Sequence, residues 1–211
     1  MKSYVSIPKG GRIAEAGEPL SHLSSIVVGC ATVAKTLADG RRQMVGLLLP
    51  SDFIGRPGRS AVGYDIEAVS DVTLCRFERR AFDQLVKDSP NIARRLLTMT
   101  LDELDVARDW QVLLGRLTAR ERLAHFLLSL VRREASESGE ALDEGAVTLH
   151  LPLSRELIAD YLGLTIETTS RQFTALRRDG LIETPSARVV HVPDLARLRL
   201  ETMDDDGAPI A

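Results

Sequence analysis

Glu167, Ser170 and Arg171 sit within one five-residue window and bring three hydrogen-bonding chemistries together. The carboxylate only accepts, the hydroxyl both donates and accepts, and the guanidinium donates through a planar fork. Spacings of three and four put all three on one face of a helix. Such a set matches base edges in a DNA major groove: Arg pairs with guanine O6 and N7, Glu accepts from the cytosine amino group, and Ser serves bases or phosphates. The same spacing also allows an ordinary i to i+4 salt bridge between Glu167 and Arg171.

The elements that would position these side chains are written around them. Residues 154 to 178 read as a helix-turn-helix, with Ser154 as N-cap of a first helix, Gly163 as its left-handed stop and Thr165 as cap of the second. Ile158, Ala159 and Leu162 are expected to face inward from the first helix, and Ile166, Phe173, Leu176 and Leu181 from the second. The first turns of the second helix are what this motif inserts into the groove. Ser154, Arg155, Thr165, Thr168, Arg177, Arg178 and Arg188 are then candidates for contacting or supporting the DNA backbone. Residues 180–184 and 188–192, around Pro185, Ser186 and Ala187, form two β-like runs that make a small wing. Residues 151–200 carry seven arginines against six acids, so binding would rest on a focused patch and be salt-sensitive.

Upstream, residues 5–77 are short β-like runs punctuated by glycine and proline, which suggests an all-β roll. Ala38-Asp39-Gly40 is the best single hairpin signal. Helices are predicted over 80–87, 91–115 and 119–134, then a polar loop over 135–140 and a strand from 147. Along the long helix, Leu97, Thr100, Leu104, Ala107, Gln111 and Leu114 repeat with heptad spacing, which fits a homodimer seam or packing on the chain's own β-domain. A second stripe, Leu96, Met99, Val106, Trp110 and Leu113, is available for packing inside the chain. The expected organisation is α+β: a β-roll over 1–88, a dimerisation helix over 89–116, a winged helix over 117–201 and an acidic tail over 202–211.

Composition excludes several classes. The net charge is −3, with 44% hydrophobic and 4% aromatic residues, as in a soluble globular chain. No apolar run is long enough to span a membrane and the N-terminus has no signal-peptide pattern, so a cytoplasmic protein with no membrane partner is expected. The histidines, His22, His125, His150 and His191, sit in no metalloprotease, nucleophile-elbow or phosphate-loop motif, so no enzymatic activity is expected. The two cysteines, Cys30 and Cys75, have no CxxC spacing.

The run Asp160-Tyr161-Leu162-Gly163-Leu164-Thr165-Ile166-Glu167-Thr168-Thr169-Ser170-Arg171 resembles the helix-turn-helix of the CRP/FNR family of transcription regulators. The likeness extends over the whole chain: β-roll, long helix, winged helix. Glu167, Ser170 and Arg171 resemble the recognition triplet of the FNR branch, which implies a homodimer on a palindrome of TTGAT-type half-sites and contact with RNA polymerase. Residues 43–58 and 99–105 are similar to FnrL-type oxygen-responsive regulators. Those relatives hold a [4Fe-4S] cluster with three cysteines in an N-terminal extension and a fourth in the roll, where Cys75 stands here. With the extension expected to be absent, Cys75 would be a ligand only if a longer N-terminus supplied three more cysteines; otherwise it is a buried apolar thiol. The resemblance implies no cofactor for this chain and no cAMP, because Gly55 is followed by Arg56 where cAMP-binding relatives have Glu, and the loop before Arg59-Ser60-Ala61 is short. The rival reading is a small-molecule-binding β-roll whose helical domain serves protein interaction.

Overall fold

The computed structural model describes residues 2–138 and 145–202. The chain divides into two units, residues up to 99 and residues from 100 onward.

The first unit is a β-roll of two four-stranded antiparallel sheets. One holds β1 (Lys2–Ile7), β8 (Val72–Glu78), β3 (His22–Val28) and β6 (Phe53–Ile54) in that spatial order; the other holds β2 (Arg12–Ala14), β7 (Asp65–Ala68), β4 (Ala31–Thr36) and β5 (Arg42–Leu48). The β4–β5 hairpin turns at the predicted place: Gly40 adopts φ 86°, and its amide donates to the Leu37 carbonyl. β2 and β6 were not anticipated, being three and two residues long. Alternation along β8 sends Val72 and Leu74 into an interior cluster with Ile26, Ile54 and Ile66. Burying each such side chain stabilises the fold by about 1.5–3 kcal/mol. Cys75 and Phe77 therefore take the opposite face, where Phe77, Phe53 and Phe82 of α1 (Arg79–Asp88) pack with ring centroids 5.6 to 6.4 Å apart. Both cysteines are buried.

α2 (Pro90–Arg116) starts in the first unit and ends in the second. Proline is tolerated at its first turn, where no intrahelical donor is needed. Leu97 is 60% exposed and Leu104 44%, and Thr100, Ala107 and Gln111 are exposed with them. Leu101, one residue off the predicted stripe, is exposed as well. One expectation fails here. Val106, assigned to internal packing, is exposed, because residues 101–108 are exposed on every side of α2; Leu114, assigned to the seam, is half-buried beside the position of Gly163.

In the second unit α3 (Ala119–Ser138) runs about a turn past its predicted end, so Ala135 and Ser136 are helical rather than loop; 139 and 140 lie outside the described residues. Its Leu123, Phe126, Leu127, Leu130 and Val131 are buried as predicted. An unpredicted helix, α6 (Leu195–Leu200), is capped by the Asp194 carboxylate accepting from the Arg197 amide. Numbering the remaining elements in chain order, α4 is Arg155–Leu162 and α5 is Ile166–Arg178. Arg120 of α3 bonds Glu201 at 2.5 Å and Asp179 at 2.7 Å, joining the ends of α6 and α5. Thr202, expected to begin the acidic tail, is buried, and its carbonyl lies 3.3 Å from the His125 ring; residues 203–211 lie outside the described residues.

Candidate nucleic-acid interface

α4 begins at Ser154, whose hydroxyl accepts from the Leu157 amide at 3.3 Å. It stops at Gly163, with φ 63° and ψ 39°, and the Leu164 amide reaches back to the Ala159 carbonyl at 2.9 Å. That is a glycine-terminated Schellman turn, a conformation that costs any L side chain about 1–2 kcal/mol. Thr165 then caps α5, accepting from the Thr168 amide at 3.2 Å. Two caps and one left-handed residue, all visible in the sequence, fix the angle between the helices.

A single guanidinium secures the turn from behind. Arg122 of α3 donates to the carbonyl of Leu162 at 3.0 Å, of Leu114 at 2.8 Å and of Leu117 at 2.9 Å. Leu162 ends α4 and Leu114 lies in the last turn of α2, so Arg122 satisfies carbonyls that have no intrahelical donor. Trp110 of α2 stacks on Tyr161 of α4 with centroids 4.2 Å apart.

α5 buries Thr169, Phe173 and Leu176 and leaves Glu167, Ser170, Arg171, Thr174 and Arg178 on one exposed face, at helical spacings of three and four. Thr174 had not been singled out; its hydroxyl donates to the Ser170 carbonyl at 3.0 Å. Ile166 departs from expectation: at 44% exposed it precedes the first full turn and points outward. The Glu167 carboxylate is held below the usual carboxylate range by its own backbone amide, then by the Thr165 hydroxyl, with Arg171 a lesser influence. It is anchored at the helix N-terminus, where the macrodipole favours an anion. Arg171 makes only a long contact, 3.5 Å, to the Thr168 hydroxyl. The i to i+4 ion pair with Glu167 does not form, which leaves the guanidinium fork clear of that carboxylate.

The supporting cations differ from one another. Arg155 places its guanidinium 3.1 Å from the ring centroid of Phe173 and buries one terminal nitrogen without a partner. Burial first, and the charge of Arg188 second, push its pKa down to about 10, so it remains charged near neutral pH. Arg188 donates to the Pro152 carbonyl at 3.0 Å, tying the wing to the start of α4. Arg178 pairs with Asp179 at 3.1 Å but stays largely exposed, and Arg177 is exposed. The wing is β10 (Glu183–Ser186) and β11 (Val189–Val192), joined by Ala187 and Arg188 alone, a tighter turn than predicted. β9 (Val147–His150) pairs with β11 and completes a three-stranded sheet.

Among the described residues no three His, Cys, Asp or Glu side chains gather as a metal site. Two cysteines cannot supply the four thiolates of a [4Fe-4S] cluster, so this chain's own residues do not fit one. The loop after β6 is also tied to α1. The Arg56 carbonyl accepts from Arg79 at 3.1 Å, and the Gly58 amide donates to the Asp83 carboxylate at 3.3 Å.

A winged helix-turn-helix with a donor-bearing recognition face, joined to a β-roll by one long helix, defines a DNA-binding regulator. Residues 121–201 match the family model described as Crp-like helix-turn-helix domain, and residues 4–89 the one described as cyclic nucleotide-binding domain. The chain belongs to the CRP/FNR family of transcription regulators, in its FNR branch, and not to an enzyme family. It is 49% identical over 212 residues to "Transcriptional activator protein FnrL" of Cereibacter sphaeroides, covering 100% of this chain and 85% of that protein. It is 34% identical over 190 residues to "Nitrogen fixation regulation protein FixK" of Rhizobium meliloti, covering 90% and 82%. The solved structure of FixK2 from Bradyrhizobium japonicum superposes with a TM-score of 0.85 at 33% identity, covering 99% of this chain and 100% of that one.

Proposed function

We propose that this chain is a homodimeric transcriptional activator that reads an FNR-type palindrome of TTGAT half-sites through Glu167, Ser170 and Arg171. The observation that carries the reading is the exposed face of α5, where Arg171 is unpaired by Glu167 and both stand at the N-terminal end of a helix capped by Thr165. Arg177 and Arg178 would contact phosphates. Half-buried Arg155 would add positive charge beside them, and Ser154, Thr165, Thr168 and Arg188 would hold the elements in place. Association through α2 is supported by the exposed Leu97, Leu101 and Leu104, three large apolar side chains on one helix face. Activation, and with it contact with RNA polymerase, is supported by the name of the FnrL relative, a transcriptional activator protein. A link to oxygen or anaerobic metabolism rests on the FnrL-type resemblance alone.

No helix among the described residues is long and apolar enough to cross a membrane, and we read the protein as cytoplasmic. We also read the roll as holding no cAMP: Arg56 follows Gly55, and the loop that would face a phosphate already engages Asp83. Cys75 would join a cluster only with three cysteines this chain does not carry.

Fluorescence anisotropy on a TTGAT-N4-ATCAA duplex and a scrambled duplex tests the reading. Wild type should prefer the palindrome, and Arg171→Ala should weaken that preference by about 1–3 kcal/mol with little effect on scrambled DNA. Equal binding of both duplexes by wild type and variant would refute it.

A further inference from the structure

The inner face of one β-roll sheet changes character at one end. Inward positions along β8 are Val72, Leu74 and Arg76, and along β3 they are Ile26, Ser24 and His22. Register sets Arg76 directly opposite Ser24, with His22 one inward position further along. Buried faces of such strands are ordinarily apolar, so adjacent Arg, Ser and His are the exception that asks for a reason. Together with Arg12 from β2 of the facing sheet, they line a cavity of about 210 Å³. The rest of its wall is apolar, from Val5, Ile7, Leu20, Ile54 and Leu74.

The polar wall consists of donors. His22 Nδ1 faces both the Ser21 hydroxyl at 2.7 Å and an Arg76 terminal nitrogen at 3.2 Å; with Arg76 donating to Nδ1, the ring proton falls on Nε2. Ser24, only 6% exposed, lines the same cavity and brings a hydroxyl to it. Arg12 reaches Glu15, and both of those side chains are largely exposed. Guanidinium, imidazole N–H and hydroxyl groups over an apolar wall complement a carboxylate with a short apolar tail. The volume equals roughly seven waters at ~30 Å³ each, below the ~300–1,000 Å³ of drug-sized sites. It suits an acid of a few carbons better than a nucleotide.

We propose that this end of the β-roll binds a small organic carboxylate, its head on Arg76 and Ser24 and its tail against Leu74 and Ile54. The inference is independent of DNA reading, so the two stand or fall separately. Titration calorimetry of the full chain with butyrate, with butanamide as neutral isostere and with inorganic phosphate tests it. Butyrate should bind saturably and butanamide should not. Arg76→Gln should weaken butyrate at least about tenfold, the loss of a charged hydrogen bond, and Ser24→Ala should weaken it several-fold. If Arg76→Gln does not fold, Ser24→Ala, which removes one oxygen from the cavity wall, decides alone. The proposal is overturned by absence of saturable butyrate binding, by equal binding of butanamide, by unchanged affinity in the folded variants, or by saturation with phosphate in place of butyrate.

Discussion

The guanidinium of Arg155 lies over the ring of Phe173, 3.1 Å from its centroid, so the first helix of the motif rests a cation on the core residue of the second. The contact keeps the charge at a fixed height while leaving one nitrogen without a protein partner. Arg155→Met keeps the apolar stem and removes the charge. It should weaken the palindrome and scrambled DNA alike and reduce the salt slope by about one, because a phosphate contact carries no sequence information. The folded-state pKa, about 10, lies below the ordinary value, so the charged form costs stability at every pH below about 10. The variant should therefore melt no lower than wild type. A loss confined to the palindrome would assign Arg155 to base reading instead.

Glu167 offers a pH signature. Its folded-state pKa is depressed, so its contribution is present above the ordinary carboxylate value and disappears as pH falls through the lower, folded value. Thermal melts of wild type and Glu167→Gln should differ at neutral pH, with wild type the more stable, and converge in acid. A gap that persists unchanged at low pH would mean the carboxylate is not the source.

Gly163 tests the turn. Its φ of 63° suits glycine, and an added Cβ would meet Leu114 at 3.4 Å, a contact that needs little adjustment. Gly163→Ala should cost about 1–2 kcal/mol, from backbone strain rather than collision. Denaturant midpoints at constant slope measure it; no change would show that the turn relaxes.

Leu104→Glu puts a charge in the middle of the exposed leucines of α2. Sedimentation should show a lighter species than wild type, and affinity for the palindrome should fall more than affinity for an isolated half-site. An unchanged mass would remove this face from the interface.

The reading head was legible because its determinants are local. Ser154, Gly163 and Thr165 act within four residues of themselves, and each stands where the sequence placed it. The hairpin at Gly40 was legible for the same reason. What escaped was short or distant. β2 and β6 have too few residues to show a period. The only available signal for α6 was Asp194, a capping residue before Leu-Ala-Arg-Leu. Ile166 follows helical periodicity on paper, but as the first residue of α5 it is 44% exposed, and burial in that turn begins at Thr169. The pairing of Ser24 with Arg76, like the bond from Arg122 to the Leu162 carbonyl, joins residues far apart in the chain. No window along the chain reveals it.

Arg122 has a mechanical consequence. Its fork spans the end of α2, the Leu117 bend and the end of α4, so these three backbone points share one rigid planar group. A rotation of the last turn of α2 must either drag the Gly163 corner with it or break at least one of three bonds to a charged donor. The bend between the long helix and the reading head is thus a strut rather than a loose joint, and its stiffness is concentrated in a single side chain.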